Sequence, residues 1–459
     1  MIKRILLVVS LLVTSAVAGV VYLAWPDHAR LDVAAVSGSS PRLTAPRPQA
    51  VPTIAVAKAV GWAKGAHPVA PAGLAVTAFA SGFDHPRWLY RLPNGDILVA
   101  EANAPPRQGQ GVVERVMEAV MARGGALTRS ADRITLLRDQ DGDGKAELRT
   151  TFLSGVRSPF GMAVVGDSLY VGATDALLRY PYRSGETRIR ARPSVVVKYP
   201  GEAHWARNVV AAPDGKALFV TVGSGSNAGE AGPEADRGRA LILRVDLATG
   251  TASPFAEGLR NPNGMAFEPQ TRALWTVVNE RDMLGSDLVP DYLTSVRQGD
   301  HFGWPWYYWG EHRDVRVQPD NLPVRARARR PDYALGPHVA ALGLTFAQDA
   351  DLGPAFSNGA FIGLHGSWNR RPPAGYKVVF VPFGPDGKPG AGVAAVDVLG
   401  GFLDARGQAQ GRPAGVITDQ AGALLVADDV GNVVWRVSRA GATARPARPE
   451  PQPQPQPRP

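Results

Sequence analysis

One pattern of apolar and polar positions recurs six times along the chain. A polar turn leads into a short apolar strand, then a turn rich in Pro, Asp and Gly, then a second apolar strand. The copies are HPRWLYRLPNGDILVAEA from His85, SPFGMAVVGDSLYVGAT from Ser158, HWARNVVAAPDGKALFVTVGS from His204 and NPNGMAFEPQTRALWTVVNE from Asn261. A looser copy, ALGLTFAQ followed by NGAFIGLHGS, begins at Ala341, and RPAGVITDQAGALLVADDVGNVVWRVS begins at Arg412. Each reads as a β-hairpin, because short apolar runs flank turns such as Asn94-Gly95 or Asp214-Gly215. Repetition at about 45–80 residues predicts an all-β fold, a six-bladed β-propeller of four-stranded sheets. A lone blade would expose both faces and both edges, whereas a closed ring covers them. The stretch AVTAFASGF at 75–83 is predicted to complete the last blade. A double-sheet sandwich is the competing architecture, and six similar hairpins fit it less well.

Outside the repeats the pattern changes. VVERVMEAVMAR at 112–123 sets Val113, Val116, Met117 and Val120 on one helical face, which predicts a helix packed over the propeller or capping its mouth. Lys3 and Arg4 precede an apolar run from Ile5 to Trp25, long enough at about 30 Å to span a bilayer. Ala16-Val17-Ala18 also resembles a cleavage site, so residues 1–25 read as a signal anchor or a signal peptide. Either way the body is exported, and a periplasmic protein anchored to the inner membrane is expected. Residues 26–70 read as a linker with little core of its own, 71–440 as the propeller, and 441–459 as a Pro-rich disordered tail.

Composition sharpens this division. The 51 Gly and 40 Pro suit a turn-rich β protein. The net charge of +9 is concentrated at the ends, since residues 1–70 carry seven Lys/Arg against two Asp. A near-neutral body argues against nucleic-acid binding. The absence of cysteine excludes disulfides, thiolate metal sites, a lipoprotein anchor and covalently attached c-type haem.

Loops at one end of a propeller channel converge, so candidate chemistry is sought at the start of each repeat. His204 occupies that position in the third repeat, where an imidazole suits proton abstraction; a packed, hydrogen-bonded histidine is the competing reading. Arg260 and Asn261 open the fourth repeat and offer a guanidinium and an amide to a ligand, or else simply build a turn. The stretch NERDMLGSDLVPDYL that follows holds Glu280, Asp282, Asp287 and Asp291, oxygen donors of the kind Ca²⁺ takes in loops. GDHFGWPWYYWG supplies aromatics for a pocket wall or for blade packing. His365, Arg370, Arg371 and Lys377 in the fifth repeat, and Arg412 opening the sixth, are further candidate ligand-binding groups. Separately, Asp139, Asp141 and Asp143 with Gly144 match the start of an EF-hand loop, although position 12 is Thr150 rather than Glu. A structural metal site and a plain acidic turn both remain open there.

Taken together, GLRNPNGMAF, the acidic loop, GDHFGWPW, HGSWNRRPPAGYKVVFVPF and the DQDGDG loop resemble the glucose/sorbosone dehydrogenase family, with the sorbosone branch suggested by the last two. The resemblance spans about residues 75–439. It implies a quinoprotein oxidoreductase that transfers hydride from an aldose or sorbosone-like sugar to pyrroloquinoline quinone, with Ca²⁺ polarising the quinone. His204 falls at the family's base, Arg260 and Asn261 at its cofactor-binding pair, and Arg412 near another cofactor-facing cation. Arg370 or Arg371 stands in for a cofactor-contacting Lys-Arg pair that is not plainly present. Asp287 lies in the calcium loop, where Glu280 and Arg281 replace a Gly-Pro pair. Ala414 replaces a further arginine. With no haem motif, electrons would pass to an external acceptor. A Ca²⁺-dependent lactonase-like hydrolase and a non-catalytic glycan- or protein-binding propeller are the alternatives.

Overall fold

Each repeat found in the sequence folds as the inner hairpin of a four-stranded antiparallel sheet. The computed structural model describes residues 14–15, 26–49, 51–105, 119–126, 128–201 and 203–441. The sheets are six blades in chain order. Blade 1 comprises Pro86–Arg91, Ile97–Glu101, Arg133–Arg138 and Leu148–Ser154, and blade 2 comprises Met162–Val165, Ser168–Gly172, Ala176–Pro181 and Ser194–Lys198. Blade 3 holds Val209–Ala211, Ala217–Val222, Leu241–Asp246 and Ala252–Glu257, extended by a parallel fifth strand, Asp300–His301. Blade 4 holds Asn261–Phe267, Leu274–Asn279, Pro290–Val296 and Tyr333–Pro337; blade 5 holds Ala341–Phe346, Gly359–Leu364, Lys377–Pro382 and Val396–Leu399. Blade 6 is built from Pro413–Thr418, Leu424–Asp428 and Val433–Arg439, and its outer strand is Leu74–Ser81 from the other end of the chain. The predicted six-bladed ring and its closure by the 75–83 segment are therefore observed.

The core is divided among the blade junctions. Six apolar clusters occur among the described residues, one between each neighbouring pair. Trp88, Leu98 and Phe152 of blade 1 meet Phe160, Met162 and Leu169 of blade 2, for example. A second strand consequently has neighbours on both faces: Ile97–Glu101, Leu274–Asn279 and Gly359–Leu364 are buried throughout, which is why these strands read as unbroken apolar runs. Near the channel the blades touch backbone to backbone. A Cβ at Gly343 of blade 5 would overlap the Ala414 carbonyl of blade 6, and one at Gly264 would overlap the Leu342 carbonyl of blade 5. The first strands bulge at these positions, which turns the residues before them toward one end of the channel. That end, from which the first strands start, is the mouth.

Residues 26–70 do not behave as the spacer expected from their composition. They form a strap that contacts the mouth loops of blades 4, 5 and 6. Between these contacts it runs down the outer strand of blade 4, where Gly38 pairs with Ala334 and Ser39 Oγ accepts the Gly392 N–H. The Asp27 carboxylate accepts the Ser286 N–H at 2.6 Å, Arg47 and Gln49 N–H donate to the Leu284 and Met283 carbonyls, and Ala55 N–H donates to the Trp368 carbonyl. Trp62 packs edge-on against Phe402 and Trp435, and its Nε1–H donates to Asp428 at 2.6 Å. Residues 119–123 are helical and lie beside the strap, with Arg123 accepting from Ala59. The rest of the predicted 112–123 helix, nearly all of the 1–25 segment and the tail from 442 lie outside the described residues. Among the described residues no helix is long and apolar enough to cross a membrane.

Candidate functional site at the channel mouth

His204 is half-buried on the segment leading into blade 3. Its Nδ1 lies 2.8 Å from the Ser224 carbonyl, so an N–H there donates to that oxygen and the basic lone pair resides on Nε2. The segment is held from below by Arg207, fully buried, which donates to the His204, Ala206 and Pro200 carbonyls at 2.5, 2.9 and 2.7 Å. Burial pulls this guanidinium down to about 10. Ser224 also donates its N–H to the Arg260 carbonyl at 2.7 Å, tying the candidate base to the start of blade 4. Gly223 closes the arrangement: a Cβ there would overlap both Asn261 Oδ1 and His204 Cβ. The structure thus brings His204, Arg260 and Asn261 to one place.

Arg260 is buried and bridges Asn227 Oδ1 and Asp282 Oδ2, each at 2.9 Å. Asp282 Oδ1 accepts from Asn369 at 2.8 Å and lies 3.6 Å from His338 Nδ1. Burial works against the Asp282 carboxylate, but Arg260, His338 and Asn369 hold it below the usual carboxylate range. Burial likewise opposes charge on His338, whereas Asp282 and the Gly285 carbonyl raise its pKa. Neighbouring Asp291, given only two backbone N–H groups, is pushed up to about 7 by burial.

A second cluster, in which His365 and Arg412 were singled out from sequence and Asp429, Arg87 and His85 were not, occupies the blade 5, 6 and 1 sector. Asp429 Oδ2 accepts from His365 Nε2 at 2.8 Å and from Arg87, and lies 3.3 Å from His85 Nε2. Burial opposes the Asp429 charge, yet His365, His85 and Arg87 hold it well below its usual range. Burial drives both histidines down to about 4, so they are neutral at pH 7. Arg412 sits beside them, 6% exposed, donating to Tyr376 Oη at 3.0 Å and lying over that ring. Several buried polar atoms of the mouth have no partner: Arg412 Nε, Arg87 Nε, Asp429 Oδ1, Asn261 Oδ1 and Asn369 Oδ1. Such orphans are costly unless a ligand satisfies them; the two guanidinium N–H donors suit an anionic group, and the three oxygens suit hydroxyl or N–H donors such as those of a sugar.

The other proposed site residues serve different ends. Glu280 pairs with Arg281, which is fully buried between Trp304 and Tyr308 and also reaches Asp314. Asp287 Oδ2 accepts the Arg30 and Leu31 N–H groups, and Oδ1 faces Arg370 at 3.5 Å. Arg370 otherwise donates to the Ser286 and Pro372 carbonyls, and Arg371 to the Ile54 carbonyl of the strap. Glu280, Asp287, Arg370 and Arg371 thus brace the loops and the strap; their side chains do not converge with His204. The two carboxylates do not fit a mouth metal, because cations and N–H groups already occupy them. Asp139, Asp141, Asp143 and Glu147 do converge, with carboxylate oxygens within 4.8 Å of one another. Their loop joins Arg133–Arg138 to Leu148–Ser154, at the end of the channel opposite the mouth.

The sequence signal for Arg87 was present in HPRWLY, one residue past the repeat's first turn, but nothing local marked Asp429 as its partner. A family model described as TrAA12-like matches residues 68–297 and 306–440. A protein of Borreliella burgdorferi described as uncharacterized is 30% identical over 245 residues, 53% of this chain and 63% of that one. A pyrroloquinoline quinone-dependent pyranose dehydrogenase of Coprinopsis cinerea is 46% identical over 57 residues, 12% of this chain and 7% of that one. The chain therefore spans less than two thirds of the length of these curated relatives. The holo form of the PQQ domain of Coprinopsis cinerea pyranose dehydrogenase superposes with a TM-score of 0.65 at 20% identity, covering 81% of this chain and 97% of that one.

Proposed function

Since the chain belongs to the TrAA12-like family, we propose that it is a pyrroloquinoline quinone-dependent sugar dehydrogenase that oxidises an aldose or sorbosone-like sugar and passes the electrons to an external acceptor. The observation carrying this reading is the set of partnerless buried polar atoms, on Arg412, Arg87, Asp429, Asn261 and Asn369, gathered at the mouth that also holds His204. Arg412 and Arg87 would hold the carboxylates of the quinone, and the Asn261 and Asn369 amide oxygens would accept from sugar hydroxyls or from an N–H of the quinone. When bound, the quinone supplies a two-electron acceptor. The chain's own residues do the rest. Ser224 fixes the His204 tautomer so that Nε2 takes the proton of the sugar hydroxyl, and Arg207 holds the segment that carries it. Ca²⁺ would be held by the carboxylates of the Asp139 loop, far from the mouth, where its role is structural.

A second base is favoured by one observation: His365 is hydrogen-bonded to a buried, ionised carboxylate, the arrangement of a base with its orienting acid. An anionic ligand beside Arg412 and Arg87 would offset the cations that depress His365 and raise its basicity. The test is to add pyrroloquinoline quinone to purified protein, follow its uptake by absorbance, and assay dye reduction with aldoses, sorbosone and simple alcohols. Uptake with sugar-dependent reduction is expected. His204→Gln is expected to lower turnover about 100-fold or more while uptake persists. If His365→Gln alone has that effect, the base is His365, and if no quinone is taken up, the dehydrogenase reading fails.

A further inference from the structure

The polypeptide joins the propeller at its mouth. Asp27 is buried, and besides its carboxylate contact with Ser286 N–H its carbonyl accepts from Ser286 Oγ at 3.1 Å. Ala29 N–H donates to the Arg371 carbonyl at 2.7 Å, and Arg30 and Leu31 N–H groups donate to Asp287. These partners all belong to mouth loops of blades 4 and 5. Residue 27 is thus fixed to the mouth rim, while the apolar run from Ile5 ends at Trp25. Two extended residues reach only about 7 Å. Presenting the opposite end of the propeller to the same bilayer would require a tether longer than a blade strand, about 20 Å.

Charge is distributed in the same sense. From 26 to 64 the strap carries Arg30, Arg42, Arg47, Lys58 and Lys64 against Asp27 and Asp32. The 311–330 insertion carries six arginines against three carboxylates. Its first part lies on the mouth end, where Arg316 donates to the Asp282 and Met283 carbonyls, while Arg329 and Arg330 run down the side of the ring to the His301 and Ser39 carbonyls. Val315 and Leu322 of that insertion are exposed, at 62% and 60%. The turns at the far end carry both signs, Asp139, Asp141, Asp143, Asp214 and Asp386 against Arg183, Arg188, Arg190 and Arg192. A basic strap with exposed apolar side chains beside it, next to a membrane segment, suits an anionic lipid surface.

We propose that the propeller rests mouth-down on an anionic bilayer, held there by its own N-terminal apolar segment. This rests on the reading of residues 1–25 as a retained anchor and is independent of the redox reading. Because the chain has no cysteine, single-site labelling is unambiguous. Val315→Cys and Leu322→Cys at the mouth end, and Asp214→Cys and Ala248→Cys at the far end, each take one fluorophore in the full-length protein. The variants are reconstituted into phosphatidylcholine vesicles, with and without phosphatidylglycerol, that carry a nitroxide lipid quencher. Quenching at the mouth-end labels is expected to exceed that at the far-end labels about threefold or more, with the larger contrast on anionic vesicles and a smaller one at high salt. Equal quenching, or stronger quenching at Asp214→Cys and Ala248→Cys, overturns the orientation. Failure of the chain to float with vesicles, or a mature chain lacking residues 1–18, overturns the orientation together with the anchor. Dye reduction by the same samples reports on the redox reading separately.

Discussion

At Gly223 a single hydrogen separates the candidate base from the candidate ligand-binding amide. A methyl group there meets Asn261 Oδ1 on one side and His204 Cβ on the other. Gly223→Ala is therefore expected to lower turnover of the quinone-loaded protein about 100-fold, the effect of displacing a catalytic group by about an ångström. The thermal midpoint should move far less than turnover, and an unchanged turnover would detach His204 from the site. Asp429→Asn tests the other sector. It leaves Arg87 without its carboxylate in a buried setting, so a loss of about 3 kcal/mol is expected by denaturant unfolding. At this scale the sequence was legible where a residue occupies a repeated position, as His204, Arg260 and Arg412 do. It was not legible where chemistry depends on a partner brought in by another loop. Asp429 follows a run of ordinary strand residues, and its meeting with His365 exists only once blades 5 and 6 are side by side. Arg370 illustrates the converse: its charge suggested a ligand, but the fold uses it to tie the Pro372 carbonyl of its own loop to the Ser286 carbonyl of the blade 4 loop.

The elements that carry the mouth are sensitive to acid through three buried histidines. His85, His301 and His365 are held down to about 4 by burial, against an ordinary value of 6.5. Between these values the unfolded chain binds protons that the folded chain excludes, so their contribution is complete above about pH 6.5 and is lost as pH falls toward 4. Taken alone, these three would lower the urea midpoint between pH 7.5 and pH 5, against an opposite contribution from Asp291, whose raised value of about 7 favours the folded state as pH falls. His301 Nδ1 accepts the Gly303 N–H at 3.0 Å, a contact that protonation abolishes. His301→Asn retains an acceptor without a titrating ring and should reduce the acid loss; an equal loss in the variant would contradict this. The strap makes its own prediction. Trp62→Ala removes the contacts with Phe402 and Trp435 and one donor to Asp428, at an expected cost of about 2 kcal/mol. Hairpins were legible in the sequence because alternation and turn residues are local signals. The strap was not, because it adheres through scattered backbone bonds and a few side chains, such as buried Asp27 and half-buried Trp62, with no periodic apolar face.

For the molecule as a whole, the six interfaces between blades are alike in kind, so none is stable without the ring. Removing Leu74–Ser81 uncovers Val433–Arg439 and takes Phe79 out of its apolar cluster with Leu425 and Val434. The truncated chain should lose its cooperative thermal transition altogether, as read by calorimetry, and not merely melt a few degrees lower. The pairing of Leu74 with Arg439 has a further consequence for a chain made from its N-terminus onward. The first strand to emerge has to wait for the last one, through nearly the full time of synthesis. Ring closure thus acts as a proof of completeness: a polypeptide interrupted anywhere before Arg439 has no closed form to settle into and stays open to proteolysis until it is cleared.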